Sequence, residues 1–407
     1  MVSAVSVKVH LPTHRIGAVF SESRFGKRIS ENNALNIHWK HSKSGAEHFL
    51  RLKRVLPRLK VTRDVVKMTR FNIGIVGLNF GRSIIEQIVN GPAKSYFRLL
   101  AVCDIKAALA DKVAAEYGVL SYHSLESLLE NKDIPVIGLF TGPAGRAELV
   151  REIIHAGKHV ITTKPFELSA DAAMRVLTEA KWMGRVVHMN SPSPEPSADL
   201  RQIEKWRHEY NIGRPVACRA DIWCSYREQP DGSWYDDPEK CPAAPIFRLG
   251  IYLINDLVRL FGEAEEVYVM QTRLFTKRPT ADNAQLSILF RNGALANVFA
   301  SFCVSDGQAF RNFVTLNFEN ATIYRHAGPP LPGYAQGVTE LQLIAGSSTN
   351  ISTAVNDQSG NYQWKALHRA IEGKPLTNEV TTEQIVAGIR IIEAMVASQK
   401  SGCAEKV

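Results

Sequence analysis

The chain has 407 residues, enough for two or three domains at roughly 150 residues each. Its 45% apolar and 22% charged content is that of a globular protein, which excludes wholesale disorder, collagen and coiled coil, and no apolar run approaches the ~18 residues of a membrane-crossing helix. The net charge of +9 sits in residues 1–67, which hold seven Lys and seven Arg against Glu22, Glu31, Glu47 and Asp64, so the remainder is nearly neutral and the overall charge says little about its partners.

Residues 1–67 are basic, rich in His and Ser, and show no hydrophobic period. They are expected to be an extension ahead of a true start at Met68, disordered or mis-called. A basic arm for nucleic acid and a transit-type presequence remain open alternatives. From residue 71 strand and helix signals alternate. Residues 71–77 form an apolar run ending in Gly77. A helix over Ile84, Ile85, Ile88 and Val89 follows, stopped by Asn90-Gly91-Pro92. Strands are predicted over 99–104, 135–140, 159–163 and 185–189. Helices are predicted over 106–117, 144–156 and 170–183, with a short one capped by Ser124. Such alternation with short links implies a parallel sheet covered on both faces by helices.

Beyond residue 190 the pattern changes. The segment 191–197 is Pro-rich, and a helix over 198–210 follows. Strand-like runs then dominate at 215–225, 266–274, 285–290, 295–302 and 313–318. Arg291-Asn292-Gly293 marks a hairpin turn, and a capping box from Thr381 to Gln384 opens a helix over 382–400. The expected fold is α/β: a parallel sheet with helices on both faces over 68–190, then an α+β domain with a mainly antiparallel sheet over 191–407. The six cysteines fall at scattered spacings without CxxC, which reads as reduced thiols in a cytoplasmic protein. No His/Cys/Asp/Glu pattern suggests a metal.

The first strand runs through Gly77-Leu78-Asn79-Phe80-Gly81-Arg82 into a helix. This is the placement of a dinucleotide fingerprint: Gly77 allows a tight turn, and the helix start offers N–H groups to a pyrophosphate. The match is imperfect, with Asn79 and Arg82 at the second and third glycine positions. Asp104, at the end of the second strand, stands where a carboxylate accepts bonds from the adenosine ribose hydroxyls. That favours NAD, with NADP possible.

One stretch is specific: Ala156-Gly157-Lys158-His159-Val160, continuing to Thr163-Lys164-Pro165. It resembles the AGKHV…EKP signature of the Gfo/Idh/MocA oxidoreductases, the glucose–fructose oxidoreductase and inositol dehydrogenase family. The segment from Gly250 and Tyr252 through Asn255 and Asp256 to Gly262 resembles that family's G-x-H-x-x-D helix. The resemblance covers roughly residues 70–400. It further implies that the first domain is a Rossmann doubly wound parallel sheet and that the second, whose sheet is open, closes the substrate pocket and mediates a homodimer or homotetramer. It places Lys164 beside the nicotinamide, with Thr141, Gly142, Pro143 and Pro165 completing the cofactor-binding set. It also implies departures. Thr163 replaces the motif Glu, Arg146 a common His, Arg248 the catalytic Asp, Tyr252 the catalytic His, and Asn255 a usual Asp.

Alcohol oxidation needs a base for the hydroxyl proton and a hydride acceptor. Lys164, Tyr252 and Arg248 are the candidate catalytic residues. Tyr252 is expected to act as base if Lys164 or Arg248 lowers its pKa. Arg248 could instead clamp a substrate carboxylate or phosphate. Arg227 and Trp234, on an aromatic loop, and Asn255 are expected to contact a sugar-like substrate together with Lys164 and Tyr252. The leading expectation is an NAD(P)-dependent oxidoreductase acting on a secondary alcohol or ketone of a sugar, cyclitol or sugar derivative. A non-catalytic dinucleotide-binding sensor and a redox-neutral sugar enzyme with tightly held NAD are the alternatives. Nucleic acid is expected as a partner only through residues 1–67, and no membrane partner is expected.

Overall fold

A computed structural model describes residues 5–10, 34–39, 69–305, 310–327, 338–356 and 360–407. Two units are distinguished, Met1–Thr69 and Arg70–Val407. In the first, β1 (Val5–His10) pairs antiparallel with β2 (Ala34–Trp39). The other expectations for residues 1–67 lie outside the described residues.

The second unit holds both large sheets. Its first sheet is made of β3 (Phe71–Val76), β4 (Phe97–Cys103), β5 (Leu120–Tyr122), β6 (Val136–Leu139), β7 (His159–Thr162) and β8 (Val187–His188). The order is β5-β4-β3-β6-β7-β8, and every pairing is parallel. The order reverses at β3, so β4 and β6 flank it and their carboxyl ends open a crevice where such folds bind ligands. Helices α1 (Leu78–Val89), α2 (Ala107–Tyr117), α3 (Leu125–Leu129), α4 (Arg146–His155) and α5 (Ala170–Trp182) link these strands. Their ends follow the punctuation in the chain. Gly118 caps α2 in the left-handed conformation, and the Ser124 hydroxyl accepts from Ser127 N at the start of α3. The central strands are buried on both faces: Val136, Ile137 and Leu139 are fully enclosed. That is why they read as unbroken apolar runs.

After α6 (Ala198–Glu209) the second sheet begins with β9 (Pro215–Trp223). It continues through β10 (Ala264–Thr272), β11 (Asn283–Phe290), β12 (Leu295–Ser301), β13 (Arg311–Phe318), β14 (Ala321–Ala327), β15 (Thr339–Ala345), β16 (Thr349–Val355) and β17 (Glu405–Lys406). The order is β16-β15-β14-β13-β9-β12-β11-β10-β17, antiparallel except where β12 runs parallel to β9. One face alternates buried residues, such as Val314, Leu316, Ile323 and Leu341, and packs on α7 (Ile251–Phe261).

Helix α8 (Trp364–Ile371), which the sequence did not signal, and helix α9 (Thr382–Ser401), expected in the second domain, both pack on the first sheet's layer. Trp364 and Leu367 join the apolar cluster of β3 and α1. Ile385, Val386 and Ile389 join that of α5, while Ile391, Ile392 and Met395 face the second sheet. One stripe of α9 is therefore shared by the two layers, which fixes their relative position within this unit. No described helix is long and apolar enough to cross a membrane.

Candidate active site

The turn from β3 into α1 is shaped by glycine. Gly77 has φ +83°, and a Cβ there would meet the Phe140 carbonyl at 2.8 Å. A Cβ on Gly81 would lie 2.8 Å from Ile75 Cγ2, so Gly81 lets the helix lie close on its strand. Asp104 reaches across from the end of β4. Its Oδ2 accepts from Leu78 N at 2.9 Å and its Oδ1 from Lys106 N at 2.9 Å. The first-turn amides of Asn79 and Phe80 have no carbonyl within the helix to bond, and both side chains are exposed. Arg82, at the third glycine position, turns to Glu116 at 2.5 Å. The cradle fits a dinucleotide, because the backbone conformation and close approach it needs are supplied by Gly77 and Gly81, and a carboxylate stands at the next strand end.

The loop after β7 carries the central group. The Lys164–Pro165 bond is cis. Lys164 Nζ donates to the Arg248 carbonyl and lies 4.3 Å from the centre of the Tyr252 ring. Burial, and then the charge of Arg248, bring the Lys164 amine down from the usual 10.5 to about 7. The loop is anchored by Arg146, almost wholly buried at the start of α4. Its guanidinium donates to the carbonyls of Thr163 (2.7 Å), Pro165, Phe166 (3.2 Å) and Thr141. Arg146 thus ties the Thr141-Gly142-Pro143 turn to the Lys164–Pro165 turn, and burial lowers its pKa to about 10. Glu167, whose Oε2 accepts from Ala147 N at 2.7 Å, braces the same corner.

Asn190 was not singled out by the sequence. It sits buried just past β8 and links three segments. Its Oδ1 accepts from Lys164 N (3.2 Å) and Thr163 Oγ1 (3.3 Å), and its Nδ2 donates to Tyr252 OH (3.2 Å) and the Gly360 carbonyl (3.0 Å). The nearest thing to a sequence signal was its position at the boundary between the two sheets.

Several expectations need correction. Tyr252 is not made basic by its neighbours: burial pushes its phenol up to about 12, against the opposing bond from Asn190. Lys164 cannot hold the phenolate by charge when its own ammonium is destabilised. Arg248 lies in a π-helical turn, Ile246–Gly250, and its guanidinium pairs with Glu228 at 2.6 and 2.8 Å. It stacks 3.8 Å from the Tyr235 ring centre and 4.6 Å from that of Phe302. That pairing neutralises the charge expected to clamp a substrate anion. Arg278 extends the network, bonding Glu228 (3.1 Å), Asp231 (3.0 Å) and Asp236 (2.5 Å), and so pins the 228–236 loop. Asn255 is buried with its Nδ2 on Ser191 Oγ at 2.9 Å, and a Cβ on Gly388 would come within 2.2 Å of its Oδ1. It joins α7 to α9 instead of facing substrate. Arg227 is exposed, over the Phe275 ring at 5.5 Å. Trp234 packs on the cofactor-side turn, where a Cβ on Gly142 would lie 3.1 Å from its Cδ1. Lys164 and Tyr252 are thus brought together, as are Gly142 and Trp234, whereas Arg227 and Asn255 make their contacts elsewhere.

A doubly wound parallel sheet with a glycine cradle at its switch point, joined to an open sheet whose packed helix α7 supplies Tyr252, defines an NAD(P)-binding oxidoreductase. Residues 71–191 match the family model of the oxidoreductase family with the NAD-binding Rossmann fold, and residues 200–324 match the GFO/IDH/MocA C-terminal domain. The chain belongs to the Gfo/Idh/MocA family. It is 24% identical over 332 residues to a D-xylose 1-dehydrogenase (NADP(+)) of Haloferax volcanii, covering 79% of this chain and 95% of that one. It is 22% identical over 363 residues to a scyllo-inositol 2-dehydrogenase (NADP(+)) of Bacillus subtilis, covering 82% and 95%. The fold is shared with levoglucosan dehydrogenase, solved with NADH and levoglucosan, at TM-score 0.65, 17% identity and coverage of 83% and 99%.

Proposed function

We propose that the chain is a dehydrogenase or reductase acting on a CH–OH group of a sugar, cyclitol or sugar derivative, with Lys164 moving the proton. The observation that carries the reading is the Lys164 amine, set against Tyr252 with its pKa drawn down to about 7. An ordinary lysine at pH 7 is almost wholly protonated. One with a pKa near 7 is about half neutral and can both take and return a proton.

Gly77, Asn79, Phe80 and Gly81 would hold the pyrophosphate and Asp104 the adenosine ribose. Thr141, Gly142, Pro143, Lys164 and Pro165 would line the nicotinamide end. Asp104 favours NAD, since a 2′-phosphate beside its carboxylate is repelled. The bound nicotinamide supplies the hydride acceptor in oxidation and the donor in reduction. In oxidation, neutral Lys164 Nζ accepts the hydroxyl proton. In reduction it returns that proton to the carbonyl oxygen. Tyr252 stays protonated and donates a hydrogen bond to the reacting oxygen. Asn190 orients Tyr252 and the Lys164 backbone, and Arg146 holds the loop in place. The names of the xylose and inositol dehydrogenase relatives support the substrate class.

The test is a single turnover. The full chain is loaded with NAD⁺ and mixed with pooled sugars and cyclitols while NADH absorbance is followed, beside Lys164→Met. NADH formed by the wild type and lost in Lys164→Met is the expected result. A signal equal in both removes Lys164 from the chemistry. No signal from a chain that binds NAD⁺ shifts the reading to a sensor on the same scaffold.

A further inference from the structure

Two basic residues meet at the π-helical turn, and only one of them has a counter-ion. Lys164 Nζ donates to the Arg248 carbonyl and faces the Tyr252 ring. Among the described residues its amine makes that one hydrogen bond and no ion pair. Arg248 is 8% exposed, and Glu228 binds its guanidinium through Nη1 and Nη2 at 2.6 and 2.8 Å. The rings of Tyr235, Phe302 and Tyr226 enclose it, with centres at 3.8, 4.6 and 5.3 Å. Arg278 Nε holds the same Glu228 carboxylate at 3.1 Å. A guanidinium gripped by two bonds and three rings is a charge fixed in place.

The order of contacts along Arg248 decides the sign of its effect. Glu228 takes the outer end of the side chain, whereas Lys164 is bonded at the backbone end. The guanidinium therefore comes between the amine and the carboxylate. In a site screened from water, a fixed cation near a second basic group opposes its protonation strongly. The other groups facing Lys164 do not undo this. The Cys241 thiol is pushed up to about 12 by burial, and the Tyr252 phenol likewise, so both are uncharged at neutral pH. Glu167 is committed to the amides of Ala147 and Leu168 at 2.7 Å each. Arg146, on α4, acts with the same sign as Arg248.

We propose that Arg248 and Glu228 are positioning residues for proton transfer: the guanidinium keeps Lys164 ready to shed its proton, and Glu228 holds that guanidinium charged and in place while moderating its repulsion. The inference rests on the reading of Lys164 as the proton carrier and deepens it. It gives Arg248 a part in the reaction although its charge is not free to bind substrate. Arg248→Met and Glu228→Gln break the same ion pair but remove opposite charges. A merely structural role would loosen the turn in both variants, admit water, and carry Lys164 towards an ordinary lysine in both. Control by charge moves Lys164 in opposite directions.

The experiment follows the Lys164 Cε and Nζ resonances by NMR against pH in the full chain, with Lys164→Met to assign them. The wild-type midpoint is expected near pH 7. Arg248→Met should raise it by about 1 pH unit or more, and Glu228→Gln should lower it by about 0.5. Arg248→Lys, which keeps the charge and loses the planar fork, should stay within about 0.5 pH unit of wild type. Midpoints of Arg248→Met and Glu228→Gln that rise together, or do not move, overturn the proposal. If Glu228→Gln fails to fold, the two Arg248 variants decide: an equal rise in both overturns it, and a rise in Arg248→Met alone supports it. A wild-type midpoint near 10 removes the Lys164 reading itself and this inference with it. A wild-type midpoint near 7 with variants that move together removes this inference alone. Opposite shifts in a chain that forms no NADH in the single-turnover test would remove the dehydrogenase reading and leave the role of the pair standing.

Discussion

Asn190→Ala tests whether one amide organises the proton-transferring pair. Its four contacts, to Lys164 N, Thr163 Oγ1, Tyr252 OH and the Gly360 carbonyl, span 3.0–3.3 Å. Each contributes about 0.5–1.5 kcal/mol net, and those above 3 Å belong at the low end. The expected loss of stability is therefore about 2–3 kcal/mol. Unfolding entropy near 2.1 cal/mol/K per residue gives roughly 0.7 kcal/mol per degree for a body of more than 300 residues. The melting point should fall by about 3–4 °C, read by calorimetry. The functional change should be larger than so small a thermal shift suggests. Tyr252 loses the hydrogen bond that Asn190 donates to its hydroxyl and the Lys164 loop a backbone tie, so kcat should fall about tenfold or more. NAD affinity should stay within about twofold, because Asn190 bonds nothing in the Gly77–Gly81 cradle. A melting shift with unchanged kcat would refute the positioning role. An unchanged melting point would refute the structural one.

Three further outcomes follow from the same geometry. The Lys164 pKa lies below its unfolded value, so the buried ammonium costs stability below pH 7, and the cost disappears as pH rises from about 7 towards 10.5. Lys164→Met should therefore raise the melting point relative to wild type at pH 6 and lose that advantage at pH 10; an equal difference at both would contradict the assignment. Asp104→Ala should weaken NAD binding about tenfold or more and narrow the preference for NAD over NADP, measured by fluorescence titration, and an unchanged ratio would exclude the carboxylate as its source. Glu228→Gln leaves Arg248 and Arg278 without that shared carboxylate and should destabilise the chain by about 3 kcal/mol in urea unfolding; a loss under about 0.5 kcal/mol would show the network to be dispensable.

The parallel sheet was legible because its strands are enclosed on both faces and so appear as continuous apolar runs, as in Val136–Leu139. The strand β14 (Ala321–Ala327) was missed because its inward positions are Ala321, Ile323, Arg325 and Ala327, so burial alternates along it while hydrophobicity does not. The glycine cradle and the Lys164–Pro165 turn were legible because each depends on residues adjacent in sequence. Asn190, Arg146 and Glu228 were not, because their partners lie far along the chain: Arg146 acts on Thr163 and Pro165, and Glu228 on Arg248 and Arg278. The Tyr252 error has a different cause. Treating Lys164 as a full positive charge ignored the burial that lowers its own pKa, which a sequence does not display. Arg248 was open to a substrate role only while Glu228 was not known to face it.

A neutral Lys164 amine near physiological pH is the centre of this account. The most direct measurement is an NMR titration of the Lys164 Cε and Nζ resonances in the full chain, assigned by comparison with Lys164→Met. A transition near pH 7 is the predicted result. An amine that stays protonated until about pH 10, as an ordinary lysine does, would contradict it.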